Sequence, residues 1–243
     1  MAPSVSQRPF VLGCAEGRDL VTAAESILKG ALESEIAIRT VVAPRRGAFA
    51  GVIESSLADA AVRVLTAHNC TVLTAPDGAR SVTLATQAAR SGKVALALVP
   101  DDDVDAAMPA LDALPRRLPA GGALCILIEE DPVAGSGFGA CSIAGRLDLP
   151  CLVPADLAGL RDAIEHAARL SRAGERPVSV VVHATLLRTT DTLELRPNRV
   201  VTALDAAAAM RRRRGPRPGE STDLMRLLRR LELNSCEGLP SPG

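Results

Sequence analysis

The chain has 243 residues and 47% apolar content, enough for one α/β core with a tail and too little for two domains of ordinary size. Its 28 basic residues balance its 28 acidic residues, so no overall field attracts nucleic acid or an anionic membrane. No apolar run approaches the roughly 20 residues that span a bilayer, and the N-terminus lacks the apolar core of a secretory signal, so we expect a cytoplasmic protein.

The first half of the chain alternates predicted helices with predicted strands. Asp19 is a suitable N-cap for the first helix, in which apolar residues recur on one face. A fully apolar run such as Val94–Val99 is typical of a strand that is covered on both faces. The predicted elements are helix 19–35, strand 37–43, helix 50–67, strand 70–74, a turn at 76–78, helix 79–90 and strand Val94–Val99.

The second half repeats this alternation. Its predicted elements are helix 104–114, strand 123–128, a long loop through 135–139, strand 151–153, helix 156–173 closed by Gly174, and strand Val178–His183. Alternating helices and buried strands predict an α/β fold with a doubly wound, mainly parallel sheet and helices on both faces.

The composition changes near residue 204. The run Arg211–Arg214 and the segment 215–219, rich in proline and glycine, predict a linker. Beyond it, Thr222–Leu233 has the leucine spacing of a short amphipathic helix, which either packs on its own domain or docks on a partner. We therefore assign residues 1–204 to one domain and 205–243 to a linker and a short C-terminal helix.

Common site motifs are missing from the sequence. Gly135, Gly137 and Gly139 do not complete the G-x-G-x-x-G spacing, and neither a phosphate-binding P-loop nor a G-x-S-x-G nucleophile motif occurs. Histidines and cysteines show no metal-site spacing, and most cysteines lie in apolar runs, which favours structural thiols over an iron–sulfur site in this chain. The six cysteines are Cys14, Cys70, Cys125, Cys141, Cys151 and Cys236.

Several segments resemble one enzyme family in order and spacing. Residues 24–33, AESILKGALE, resemble the N-E-A-I-x-x-G-A-L-E helix of the indolepyruvate:ferredoxin oxidoreductases. Residues 121–132, GGALCILIEEDP, resemble the family's G-G-L-V-x-V-x-A-D-D-P segment, and 149–156, LPCLVPAD, resemble its I-P-V-L-E-P-S-D segment. The matched segments extend over roughly residues 18–190, including Val42–Pro44 at the family's G-Y-P-G-T-P loop and 82–93 at its helix ending in A-G-K.

This resemblance implies a pyrimidine-type domain of the thiamine-diphosphate-binding fold. In the family, such a domain binds the aminopyrimidine of thiamine diphosphate, while a separate domain holds the diphosphate through Mg²⁺ with a G-D-G…N motif. No G-D-G occurs in this chain. The resemblance thus implies a partner subunit that carries the diphosphate and Mg²⁺ site, an oligomeric complex, and ferredoxin as electron acceptor through iron–sulfur clusters that lie only in partners.

The candidate site residues follow from the same resemblance. Pro44, Arg45 and Arg46 stand in the G-Y-P-G-T-P loop, where two guanidinium groups either clamp an anion or block the pocket. The family's N-E pair, whose glutamate hydrogen-bonds the pyrimidine and promotes the reactive ylid, falls on Asp77-Gly78. The glutamate is therefore missing. Asp77 becomes the candidate catalytic acid, with Pro44, Arg45, Arg46 and Gly78 as candidate cofactor contacts, and the family's H-S-S-Q-N-E-Q loop is not recognisable in 133–140.

Three functions remain open from the sequence. The first is an active pyrimidine-binding subunit of an oxidoreductase that decarboxylates a 2-oxoacid and transfers electrons to an iron–sulfur protein. The second is a non-catalytic relative, a pseudoenzyme that acts as a scaffold or regulatory subunit. The third is an unrelated small-ligand α/β domain in which Arg45 and Arg46 clamp an anion. A carboxylate near the expected pyrimidine position distinguishes the first from the second.

Overall fold

A computed structural model of the chain describes residues 11–14, 16–45, 59–131 and 139–199. The predicted tail 205–243, the start of helix 50–67, Arg46, Cys236 and the glycines at 135 and 137 lie outside these residues. The strands are β1 Gly17–Thr22, β2 Ile38–Pro44, β3 Thr71–Ala75, β4 Val94–Val99, β5 Ala123–Glu130, β6 Cys151–Leu152, β7 Val178–His183 and β8 Thr190–Leu195. The helices are α1 Ala23–Glu33, α2 Asp59–Ala67, α3 Gly78–Arg90, α4 Val104–Asp112, α5 Ala140–Arg146, α6 Leu157–Gly174 and α7 Ala184–Leu187.

Six strands form one parallel sheet in the order β3-β2-β4-β5-β7-β6. Side chains of the central strands alternate between two apolar cores: Leu96 and Leu98 face one, and Ala97 and Val99 face the other. Helices α1, α2 and α6 contribute to the first core, and α3, α4 and α5 contribute to the second. The predicted doubly wound α/β fold is thereby confirmed.

Most predicted elements match the structure closely. The strands β4 and β7 have the predicted bounds, and the ends of the other predicted strands and of helix 79–90 differ by at most two residues. Asp156 is the N-cap of α6, where its side chain accepts a hydrogen bond from the Gly159 N–H at 2.6 Å. Among the described helices, none is long and apolar enough to cross a membrane.

The start of the first predicted helix is wrong. Residues 17–22 form strand β1, which pairs antiparallel with β8, and α1 begins only at Ala23. Thr22, and not Asp19, is the N-cap, and it forms a reciprocal capping box with Glu25. The apolar spacing continues across both elements, so the helical pattern concealed a strand whose partner lies some 170 residues along the chain.

Three smaller predictions also need correction. Helix α6 includes Gly174, and Glu175 adopts the left-handed conformation, φ 51°, that ends the helix. Helix α4 ends at Asp112, two residues earlier than predicted. The long predicted loop is followed directly by α5, which the sequence pattern missed because the helix has only seven residues.

The first core also contains buried charge. The Lys29 ammonium donates to the carbonyl oxygens of Cys14 and Arg196 at 3.1 and 3.0 Å and to Asn198 Oδ1 at 2.8 Å. It also pairs with Glu33 Oε1 at 2.8 Å. These bonds hold α1 against the segment that follows β8, and so they fix one helical layer of the domain.

Candidate functional site at the carboxyl edge of the sheet

The strand order creates a crevice between the carboxyl ends of β2 and β4. From β2 the chain crosses outward to β3, whereas from β4 it crosses in the opposite direction to β5, so the connections leave on opposite faces of the sheet. Ligands of open α/β sheets bind preferentially at such a point. We therefore take the segments after β2, β3, β4 and β5 as the candidate functional site.

Helix α3 is fixed over this crevice by one buried hydroxyl. Ser81 Oγ donates to the Val42 carbonyl of β2 at 2.9 Å and accepts the Leu98 N–H of β4 at 3.1 Å. The side chain has no exposed surface. The first turn of α3 is consequently held next to the ends of both strands.

The predicted residues of β2 lie at this edge. Pro44 ends the strand opposite Ala75 of β3, and the Arg45 N–H donates to the Ala75 carbonyl at 2.8 Å. The Arg45 side chain is exposed. Pro44 and Arg45 thus lie beside the β3–α3 turn that contains Asp77 and Gly78.

Asp77 caps helix α3. Its Oδ1 accepts the Arg80 N–H at 2.7 Å, and its backbone is extended, as expected of an N-cap. This geometry accounts for an aspartate at the turn without a catalytic role. The proposed role of Asp77 as the catalytic acid remains a prediction.

Gly78 has little space for a side chain. Its N–H donates to Asp103 Oδ2 at 2.8 Å. A Cβ at this position would lie 3.1 Å from Asp103 Cβ and 3.1 Å from Val99 Cγ1, closer than ordinary van der Waals contact. A carboxylate therefore does lie beside the expected position of the family's glutamate, but it comes from the β4–α4 turn and is already bonded to the helix.

Strands β4 and β5 end in six carboxylates. Asp101, Asp102 and Asp103 follow β4, and Glu129, Glu130 and Asp131 end or follow β5. Glu130 Oε1 accepts the first N–H of α5 at 2.8 Å, and Asp131 pairs with Arg188 at 3.8 Å. The edge near β4 and β5 is thus strongly acidic.

Glu129 is a site residue that the sequence interpretation missed. The residue is 5% exposed, and burial raises the pKa of its carboxyl group; the Asp101 N–H opposes this shift, and the carboxylates of Asp101 and Asp102 add to it. The available signal was the pair Glu129-Glu130 directly after the apolar run 123–128.

The described residues at the start of α3 do not supply the acid that the resemblance implies for activation of the aminopyrimidine. The glutamate position is a glycine, its N–H is bonded to Asp103, and Asp77 is bonded to its own helix. Six nearby carboxylates also disfavour an anionic diphosphate in the absence of a partner's cations. Within the described part of the chain, no group of three or more histidine, cysteine or acidic side chains is arranged to hold a metal ion.

A cavity of about 650 Å³ lies apart from this edge, between α1, α6 and the segment after β8. It is lined by charged side chains, of which Arg196 pairs with Asp162 at 3.1 Å and Arg199 pairs with Glu35 at 3.0 Å. The cavity contains none of the predicted site residues.

No protein-family model and no curated protein matches this chain. One similar solved structure is a 2-oxoglutarate:ferredoxin oxidoreductase from Magnetococcus marinus with 2-oxoglutarate, coenzyme A and succinyl-CoA bound. It shares 14% identity and a TM-score of 0.47 over 74% of this chain and 32% of that chain. Another is a split-gene transketolase in an inactive β4 tetramer, with 16% identity and a TM-score of 0.46 over 67% of this chain and 51% of that chain. This chain therefore spans about a third and about half of the lengths of these two proteins.

Proposed function

We propose that this chain is the pyrimidine-type subunit of a thiamine-diphosphate-dependent 2-oxoacid oxidoreductase of the indolepyruvate:ferredoxin kind. In this proposal the chain forms one wall of a shared site. A partner subunit supplies the diphosphate and Mg²⁺ site, and iron–sulfur clusters in partners pass electrons to ferredoxin.

One observation carries the proposal: segments that resemble the family and are distant in sequence meet at one edge of the sheet. Pro44 ends β2, Asp77 caps α3, which begins at Gly78, and residues 129–131 lie at the carboxyl end of β5. Subunit interfaces that share a ligand are expected at this kind of crevice, because the loops after parallel strands face outward there. The acidic side chains after β4 and β5 favour a partner surface that is basic or carries a bound cation.

The identity of the partner is tested by co-purification of this chain from the native host. We expect a subunit that contains a G-D-G…N motif. The isolated chain, titrated calorimetrically with thiamine diphosphate and Mg²⁺, is expected to show no micromolar binding, because its described residues offer no set of oxygen ligands for the metal. Micromolar, Mg²⁺-dependent binding by the chain alone would contradict the division of labour.

The two ends of strand β4 offer a matched pair of variants for the binding surface. Asp102 is exposed at the carboxyl edge, and Lys93 is exposed just before the strand at the opposite edge. Asp102→Lys is expected to weaken association with the partner at least tenfold, and Lys93→Glu is expected to leave it unchanged. Equal effects of the two variants would place the interface elsewhere on the domain.

A further inference from the structure

Two of the first N–H groups of α3 are bonded to the protein's own carboxylates. Of its first backbone N–H groups, that of Gly78 binds Asp103 Oδ2 and that of Arg80 binds Asp77 Oδ1. Free N–H groups at the start of a helix are the usual donors to a bound anion or polar ligand. At this helix the N–H groups of Gly78 and Arg80 are already satisfied from within the chain.

The space for an activating side chain at Gly78 is also tight. Val99, Asp103 and Pro100 surround the position of a Cβ on Gly78 at 3.1, 3.1 and 3.5 Å. A glutamate there would require the turn after β4 to shift by a few tenths of an ångström. That turn is itself fixed, because Asp103 joins it to α3 and β4 lies at the centre of the sheet.

We infer that Asp103 is a structural plug that has replaced the family's glutamate at α3, and that no acid among the described residues activates the cofactor. The inference rests on the proposed function and makes the chain a non-catalytic subunit of its complex. The chain then provides the binding surface, and turnover in the complex depends on acids that other subunits carry.

The plug itself is tested in the full-length chain by a double-mutant cycle. Gly78→Ala and Asp103→Gly are each expected to lower the melting temperature, the first by crowding Asp103 and the second by losing the hydrogen bond. The double variant should lose less than the sum, since the added methyl group then occupies the vacated space. Asp102→Gly is the control for the change in backbone freedom beside position 103. Additive losses would overturn the plug.

The functional part is tested in the complex purified with its partner. The Asp103→Asn complex is expected to keep its 2-oxoacid-dependent ferredoxin reduction and its affinity for thiamine diphosphate within twofold of the wild-type complex. Absence of turnover in both the variant and the wild-type complex also agrees with the inference. A tenfold or greater loss of turnover, with association and melting temperature unchanged, would assign Asp103 a catalytic role and overturn it. The same loss of turnover in the Asp77→Asn complex would identify Asp77 as the activating acid and would also overturn the inference. Failure to recover any partner with a G-D-G…N motif would instead contradict the proposed function, and the mutant cycle would still decide the plug.

Discussion

Replacement of Lys29 by methionine should destabilise the domain strongly. The Lys29 side chain has no exposed surface, and its ammonium group serves three oxygen acceptors in addition to Glu33. Methionine keeps the unbranched stem and removes the charge. Removal of one partner from a buried ion pair costs about 3–5 kcal/mol. At about 2–4 °C per kcal/mol for a domain of this size, the melting temperature should fall by about 6–20 °C.

The chain supplies its own control, because Lys93 is the other lysine and is exposed. Lys93→Met should change stability by no more than about 0.5 kcal/mol. Addition of Glu33→Gln to Lys29→Met should recover part of the loss, since the buried Glu33 carboxylate in Lys29→Met keeps, among the described residues, only the Arg161 guanidinium, at 3.6 Å, as a paired cation. Calorimetric melting of the four proteins decides the matter. The argument would be refuted if Lys29→Met and Lys93→Met had the same melting temperature. It would also be refuted if the Lys29→Met, Glu33→Gln double variant were less stable than Lys29→Met.

Three further predictions concern packing and titration. Gly30→Ala should lower the free energy of unfolding in urea by about 1–3 kcal/mol, because its Cβ would lie 2.7 Å from a carbonyl oxygen of α6. Gly145→Ala, which has open space, should raise it by about 0.5–1 kcal/mol. Equal effects of the two variants would contradict this argument. Burial raises the folded-state pKa of Glu129, so its ionisation lowers stability as the pH rises above the unfolded pKa near about 4.3. Glu129→Gln should therefore have a higher melting temperature than the wild type at pH 8. A difference in melting temperature that does not shrink towards pH 4 would contradict this argument. Burial raises the pKa of the Cys125 thiol to about 12, so a maleimide reagent should label Cys125 in urea and not in the native protein, as peptide mass mapping can show.

Local signals explain why the sheet and most of its helices could be predicted. The continuous apolar run of β4 and the valine-rich sequence of β7 are typical of buried strands, and both strands have the predicted bounds. Asp156 and Asp77 precede helices whose first turns they cap, so these starts are visible in a few neighbouring residues. The alternation of such elements determines a parallel, doubly wound sheet.

The candidate site could be predicted only in part. Its location followed from the order of segments that resemble a family, and the structure brings Pro44, Arg45, Asp77 and Gly78 to one edge of the sheet. The sequence interpretation did not find the contribution of Asp103, because a hydrogen bond across 25 residues leaves no trace in local pattern.

The amino-acid sequence by itself determined the class of fold, since side-chain periodicity and helix caps act over a few residues and specify each element locally. Only the tertiary structure decided that residues 17–22 form a strand, because their partner β8 lies near the other end of the described chain. It also decided that Lys29 is a buried cation and that Glu129 is a buried acid. The burial and partners of a charged group depend on which distant segments pack around it, and that packing is fixed only when the whole domain folds.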